Sequence, residues 1–119
     1  MTAQLFAFYG SLRCGMELHK HFQNGMTYVF SAWLNGFTLH SLGSYPYAVY
    51  EPKLNSKIRV DVFELSQDTR RKIHEIETNA GYYLDIIRHN GYDLQIYLFK
   101  NSANDPKVDK GDWVEFFGG

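Results

Sequence analysis

One cysteine, Cys14, stands in 119 residues, so no disulfide can form within the chain. That usage is compatible with a reducing compartment, and a cytoplasmic location is expected. An excess of charge of either sign is also missing. Twelve basic and thirteen acidic residues leave a formal charge of −1, and no basic stripe could neutralise a row of phosphates. A nucleic-acid partner is therefore not expected. No apolar run approaches the ~20 residues of a membrane span, and no basic segment followed by an apolar stretch marks a signal peptide. Internal repeats, low-complexity tracts and interdomain linkers are lacking too.

What is abundant is apolar and aromatic. Hydrophobic residues make up 45% of the chain and aromatics 17%, enough for one folded domain spanning residues 1–119 without covalent staples. The aromatics either pack a small sheet or line a pocket or interface.

The opening is the most informative stretch. Phe6-Ala7-Phe8-Tyr9 reads as a strand that breaks at Gly10-Ser11, with Leu12 and Arg13 leading toward a helix-forming segment. Glycine permits close approach of the backbone, and the amides after it suit a carboxylate or a developing oxyanion. An ordinary turn has the same signature.

Further along, 16–22 reads as a short helix, while 28–34 and 37–40 read as strands with a turn at Asn35-Gly36. Extended structure resumes at Tyr47 to Tyr50. Alternation of Ile58, Val60 and Val62 with Arg59 and Asp61 marks another strand. Ser66 is a helix N-cap with Asp68 in the first turn, and that helix ends near Asn79-Ala80-Gly81. Residues 83–88 and 94–100 form a hairpin across Asn90-Gly91, and 113–117 read as a final strand. Several strands with two short helices predict an α+β fold, a small mixed and largely antiparallel sheet or barrel.

Glu77 is the carboxylate to watch. It lies four residues after Ile73 and next to Ile76, at the edge of the apolar stripe of its helix. Lost solvation there would raise its pKa toward the range useful for proton transfer, whereas a boundary Glu would reach water. Glu75 is spaced to pair with Arg71 at the surface. Cys14 near His19 and His21 is better read as a buried, inert residue than as a nucleophile. On a helix the two histidines point to different faces, so no metal site is expected.

In combination these segments resemble the gamma-glutamylcyclotransferase-like family, particularly its short bacterial members, over nearly the whole chain. Tyr9-Gly10-Ser11-Leu12-Arg13 is similar to its ligand loop, and Gly36-Phe37 and Tyr45-Pro46-Tyr47-Ala48-Val49 to its central motifs. Val62 to Leu65, Ile73 to Glu77, Tyr83 and Gly111-Asp112-Trp113 also match. Departures are Val60, where a Gly is frequent, His74 in place of an Asp, and Asp85 in place of an Arg.

The resemblance implies cyclisation of a gamma-glutamyl amide to 5-oxoproline, with release of an amine. Glu77 would be the general base and acid, and Tyr9, Gly10, Ser11, Leu12 and Tyr83 would bind the substrate. No metal or other cofactor is implied, since the substrate's own amine is the nucleophile. The only partner implied is that small molecule. The resemblance leaves the oligomeric state open. Two other readings remain: a non-catalytic small-molecule binder of the same fold, and an interaction domain presenting Tyr45, Tyr47 and Tyr50.

Overall fold

Leu5 to Phe8 is apolar at every position, a pattern that suits a strand covered on both faces. In the computed structural model, which describes residues 4–118, these residues form β1 (Leu5–Phe8), followed by α1 (Glu17–Phe22) and β2 (Met26–Asn35). A 3-10 turn at Gln23–Gly25 joins α1 to β2. The order continues β3 (Phe37–Ser41), β4 (Pro46–Tyr50), β5 (Lys57–Leu65), α2 (Gln67–Asn79), β6 (Tyr83–His89), β7 (Tyr92–Leu98) and α3 (Trp113–Gly118).

Five strands make one sheet in the order β2-β5-β1-β7-β6, and β3 and β4 pair as a separate antiparallel ribbon. β1 is antiparallel to β5 and parallel to β7; every other pairing in the large sheet is antiparallel. The large sheet is open, with β2 and β6 as its edges, so the fold is α+β with a sheet and not a closed barrel. The ribbon is tied in late in the chain: the Phe99 amide donates to the Ala48 carbonyl (3.0 Å) and that of Val108 to Leu39 (2.8 Å).

The alternating apolar residues of β5 are fully buried, and so is Phe63 on the other face. Ser66 caps α2 through its hydroxyl, which accepts from the Thr69 amide. β6 and β7 form the hairpin about Asn90-Gly91.

Four expectations need correction. β2 and β3 do meet at Asn35-Gly36 but do not pair with each other, because β5 takes β2 and β4 takes β3. Residues 113–117 lie in a helix, so the α-helices among the described residues number three. Their aromatic content favours strand, but Asp112 overrides it: its side chain accepts from the Glu115 amide, and the Phe116 amide donates to its carbonyl. Arg71 pairs with Asp68 and not with Glu75. Cys14 is exposed, not buried; its amide donates to an Asp61 carboxylate oxygen at 3.0 Å.

The Gly-Asp-Trp near the C-terminus acts as a clasp. Gly111 has φ of +68°, and a Cβ there would stand 1.9 Å from the Lys57 carbonyl oxygen, so only glycine fits against β5. The Gly111 carbonyl accepts from Arg59 at 2.8 Å. Trp113 is fully buried. Between them Asp112 meets Arg13, whose guanidinium donates to Asp112 (Nη1, 2.8 Å) and Asp61 (Nε, 3.2 Å). Ser31 donates to the other Asp61 oxygen at 2.7 Å. Burial by itself would raise the Asp112 carboxyl, but the Arg13 guanidinium and the backbone amides hold it below its ordinary value.

Among the described residues Arg13 is thus the one cation shared by these two carboxylates, in a largely dry site. Arg13→Met should destabilise the protein by about 3–5 kcal/mol, because it strands buried charge. Arg13→Lys should fall between, since an ammonium cannot reproduce the fork. Urea midpoints with an unchanged m-value check this.

Candidate active site

β1 delivers Tyr9 to Leu12 to the end of the sheet, where the chain turns: the Arg13 amide donates to the Gly10 carbonyl at 3.0 Å. Gly10 is required by close approach, since a Cβ would lie 2.9 Å from both Cγ and Cδ of Pro46. Pro46 is in turn held by Tyr82, whose hydroxyl donates to its carbonyl at 2.5 Å. The Ser11 carbonyl accepts from the His19 amide (3.1 Å). The Ser11 and Leu12 amides donate to no acceptor among the described residues.

Across from this loop stands α2. Ile73 is its buried apolar anchor, and one turn later Glu77 is half-buried. Ile76, expected in the core, is 42% exposed but contributes to a cavity wall. That cavity, about 430 Å³, is lined by Tyr9, Gly10, Ser11, Leu12 and Glu77. Tyr45, Pro46, Tyr82 and Tyr97 line it too, with Glu17 and Leu18 of α1.

Burial pushes the Glu77 carboxyl up from 4.5 to about 7. Its place in the last turn of α2, at the negative end of the helix dipole, acts in the same direction. The tyrosines around it respond to the same dry setting. Burial, then the Glu77 charge, pushes Tyr97 up to about 12. Burial chiefly raises Tyr9 and Tyr82 as well, with the Glu77 charge adding to both. Tyr9 is fixed by a hydrogen bond from its hydroxyl to the Tyr97 carbonyl at 2.6 Å.

Tyr83 is not among the lining residues; Tyr82 occupies that role. Tyr83 opens β6, and the Lys100 ammonium lies 5.9 Å from its ring centroid. In a tandem Tyr-Tyr just after a helix, nothing in the sequence says which ring turns inward. Tyr97 was missed because its strand reads as core at every other position. Tyr45-Pro46 carried a signal only through the family resemblance.

The departures lie outside the cavity. Val60 is fully buried in β5, Asp85 lines a separate groove with Arg88 and His89, and His74 is exposed on α2. Tyr47 points inward, donating to Asp105 at 2.6 Å, while Tyr45 and Tyr50 are exposed. Among the described residues no three histidine, cysteine or acidic side chains cluster as metal ligands would.

Comparison with known proteins gives consistent results. The family described as Gamma-glutamyl cyclotransferase, AIG2-like, matches residues 6–115. A Pyrococcus horikoshii protein, PH0828, named provisionally as a gamma-glutamylcyclotransferase, is 35% identical over 109 residues, 92% of this chain and 90% of its own length. The crystal structure of PH0828 superposes with a TM-score of 0.82 at 27% identity, covering 97% of this chain and 93% of that one. A uropathogenic Escherichia coli protein, c4763, shares the fold with a TM-score of 0.84 at 21% identity, over 99% of this chain and 98% of its own.

The raised carboxyl has a consequence for stability. Between 4.5 and about 7 the folded chain holds a proton on Glu77 that the unfolded chain has lost, so ionisation costs stability as pH rises. Glu77→Gln carries no such cost. It should be more stable than wild type above pH 7 by at most about 3 kcal/mol, with the difference vanishing below about pH 4.5. Denaturation at a series of pH values measures it.

Proposed function

The chain belongs to the gamma-glutamyl cyclotransferase, AIG2-like family, and from that premise we propose that it converts a gamma-glutamyl amide to 5-oxoproline and a free amine, with Glu77 moving the protons. One observation carries the reading. The Glu77 carboxyl, raised by burial to about 7, lines a small cavity together with Ser11 and Leu12, whose amide N–H groups have no protein acceptor among the described residues.

The chemistry asks little else of the protein. The substrate's alpha-ammonium gives a proton to the Glu77 carboxylate, and the freed amine attacks the gamma-carbonyl carbon. The ring closes, and the carbonyl oxygen becomes an oxyanion. The amides of Ser11 and Leu12 are the candidate donors to it, a contribution of about 3–4 kcal/mol where a donor is well placed. Collapse of the adduct breaks the bond to the leaving nitrogen, which takes the proton from Glu77; the ring nitrogen gives up its second proton to the released amine, so 5-oxoproline keeps one N–H and the amine departs as its ammonium. Attack within one molecule supplies ~7–11 kcal/mol through orientation already achieved. A nucleophilic side chain or a metal is therefore not needed for this route.

The cavity also bears on how the glutamyl group is held. No lysine, arginine or histidine lines it among the described residues. Its alpha-carboxylate would rely on backbone amides and the hydroxyls of the tyrosine wall.

Because Glu77 must start ionised, kcat/KM should rise with pH through about 7. Glu77→Gln keeps the shape but cannot take the proton, and turnover should fall by about 10²–10⁴-fold while binding persists. Turnover should also survive EDTA. Release of 5-oxoproline from several gamma-glutamyl amines, with binding followed separately, tests all three expectations. Equal turnover by the variant would refute the role of Glu77. Binding without turnover by the wild type would assign the cavity to ligand capture.

A further inference from the structure

One residue connects the proposed catalytic cavity to a second, outer groove. That groove, about 860 Å³, runs along the other side of α2 and is lined by Glu64, Arg70, Arg71 and His74 among others. Of the described residues, Tyr97 alone lines both spaces. It is buried, 3% exposed, and its hydroxyl lies 2.9 Å from His74 Nδ1. His74 is exposed to solvent and precedes Glu77 by three residues, so the two stand one turn apart on α2.

A tyrosine hydroxyl has a single hydrogen to donate. His74 is the only hydrogen-bond partner of the Tyr97 hydroxyl among the described residues. A neutral ring protonated at Nδ1 would leave that buried O–H without an acceptor, which is costly. The neutral ring therefore accepts at Nδ1, and the hydroxyl hydrogen points away from the cavity. When His74 is protonated, Nδ1–H becomes the donor, and the hydroxyl hydrogen must turn elsewhere. Tyr97 also lines the cavity, whose acids are Glu17 and Glu77, and Glu77 is the one whose charge acts on the Tyr97 hydroxyl.

We propose that His74 is a positioning residue that acts through Tyr97, deciding whether the cavity receives a hydroxyl donor or only an oxygen lone pair. The inference rests on the cyclisation reading. With His74 neutral the donor is withheld, and Glu77 stays basic enough to accept the ammonium proton. With His74 charged, or absent, the hydroxyl donates to the Glu77 carboxylate and weakens it as a base. The charged and titratable groups lining the two spaces around this pair are Glu77, Arg70 and Arg71 on α2, Glu17 on α1, Glu64 on β5, Tyr9 after β1, Tyr45 and Tyr82.

The sign of the effect separates this device from simple charge. If His74 acted on Glu77 only as a nearby cation, its removal would raise the Glu77 pKa or leave it unchanged. Acting through Tyr97, its removal frees the hydroxyl and lowers that pKa. The test is to titrate the Glu77 side-chain carboxyl by carbon NMR in wild type, His74→Ala, Tyr97→Phe and the double variant, with kcat/KM profiles measured in parallel.

His74→Ala is a surface change to a strong helix former, and Tyr97→Phe removes only the hydroxyl. His74→Ala should lower the Glu77 midpoint by about one unit, the size of one hydrogen bond to a charged group. In the Tyr97→Phe background the same change should move it by nothing measurable. The kcat/KM profile should shift in step. An upward or null shift in His74→Ala would overturn the proposal, and so would a shift that persists without the hydroxyl. If wild type turned over no gamma-glutamyl amide, the cyclisation reading would fall and take the catalytic role with it. The NMR arm would still decide whether His74 controls Glu77 through Tyr97.

Discussion

A single buried guanidinium holds the site's geometry. Arg13 closes the turn that presents the Ser11 and Leu12 amides, and its side chain reaches back under that turn to Asp61 of β5 and Asp112 of the clasp. Asp61 also receives the Cys14 amide and the Ser31 hydroxyl, so one carboxylate gathers β2, β5 and the loop. A buried ion pair contributes little net stability, but it tolerates few geometries. Here that intolerance fixes the loop opposite Glu77 and aligns an early segment with one a hundred residues later. The role of Gly111 follows from the same constraint, because Asp112 reaches Arg13 only while the clasp lies flush on β5.

The cavity on the other side of that loop works by the opposite principle. Arg13 satisfies its carboxylates, whereas Glu77 shares its cavity with tyrosines, apolar side chains and a second acid, Glu17, with no cation in the lining among the described residues. Two kinds of carboxylate environment lie on either side of one short loop. One holds Asp112 ionised; the other leaves Glu77 divided between its two forms near neutral pH. A loop held by the first set can present donors to the second without itself supplying a charge that would quench Glu77.

Elements governed by local chemistry were legible in the sequence. The Ser66 cap, the alternation in β5 and the Asn90-Gly91 turn each impose one structure, and each formed. Trp113 to Phe117 was misread because side-chain preference and capping point opposite ways there, and the Asp112 cap prevails in so short a segment. The pairing of β2 with β5, not β3, is a long-range choice that no local signal encodes. Glu77 and the glycine loop, which line one cavity, stood out in the sequence because a break in a strand and a carboxylate on an apolar edge are visible in one dimension. Tyr82, Tyr97 and the His74 contact depend on which way a ring turns, and for that reason the sequence did not show that Tyr82, and not Tyr83, lines the cavity.

The placement of β1 has a bearing on how the molecule comes into being. It precedes the other strands of the described residues, yet its neighbours β5 and β7 are separated from it by much of the chain, and β7 joins it in parallel. Few of its contacts can form while it is still emerging. Loop-closure entropy must be met before these distant pairings repay it, which places folding among the slower mixed topologies and not with the helical bundles. The cavity wall, drawn from Tyr9, Pro46, Glu77 and Tyr97, therefore needs those distant pairings before it can form. A nascent or partly unfolded chain would have no receptive cavity at all, only an exposed apolar strand waiting for its second edge.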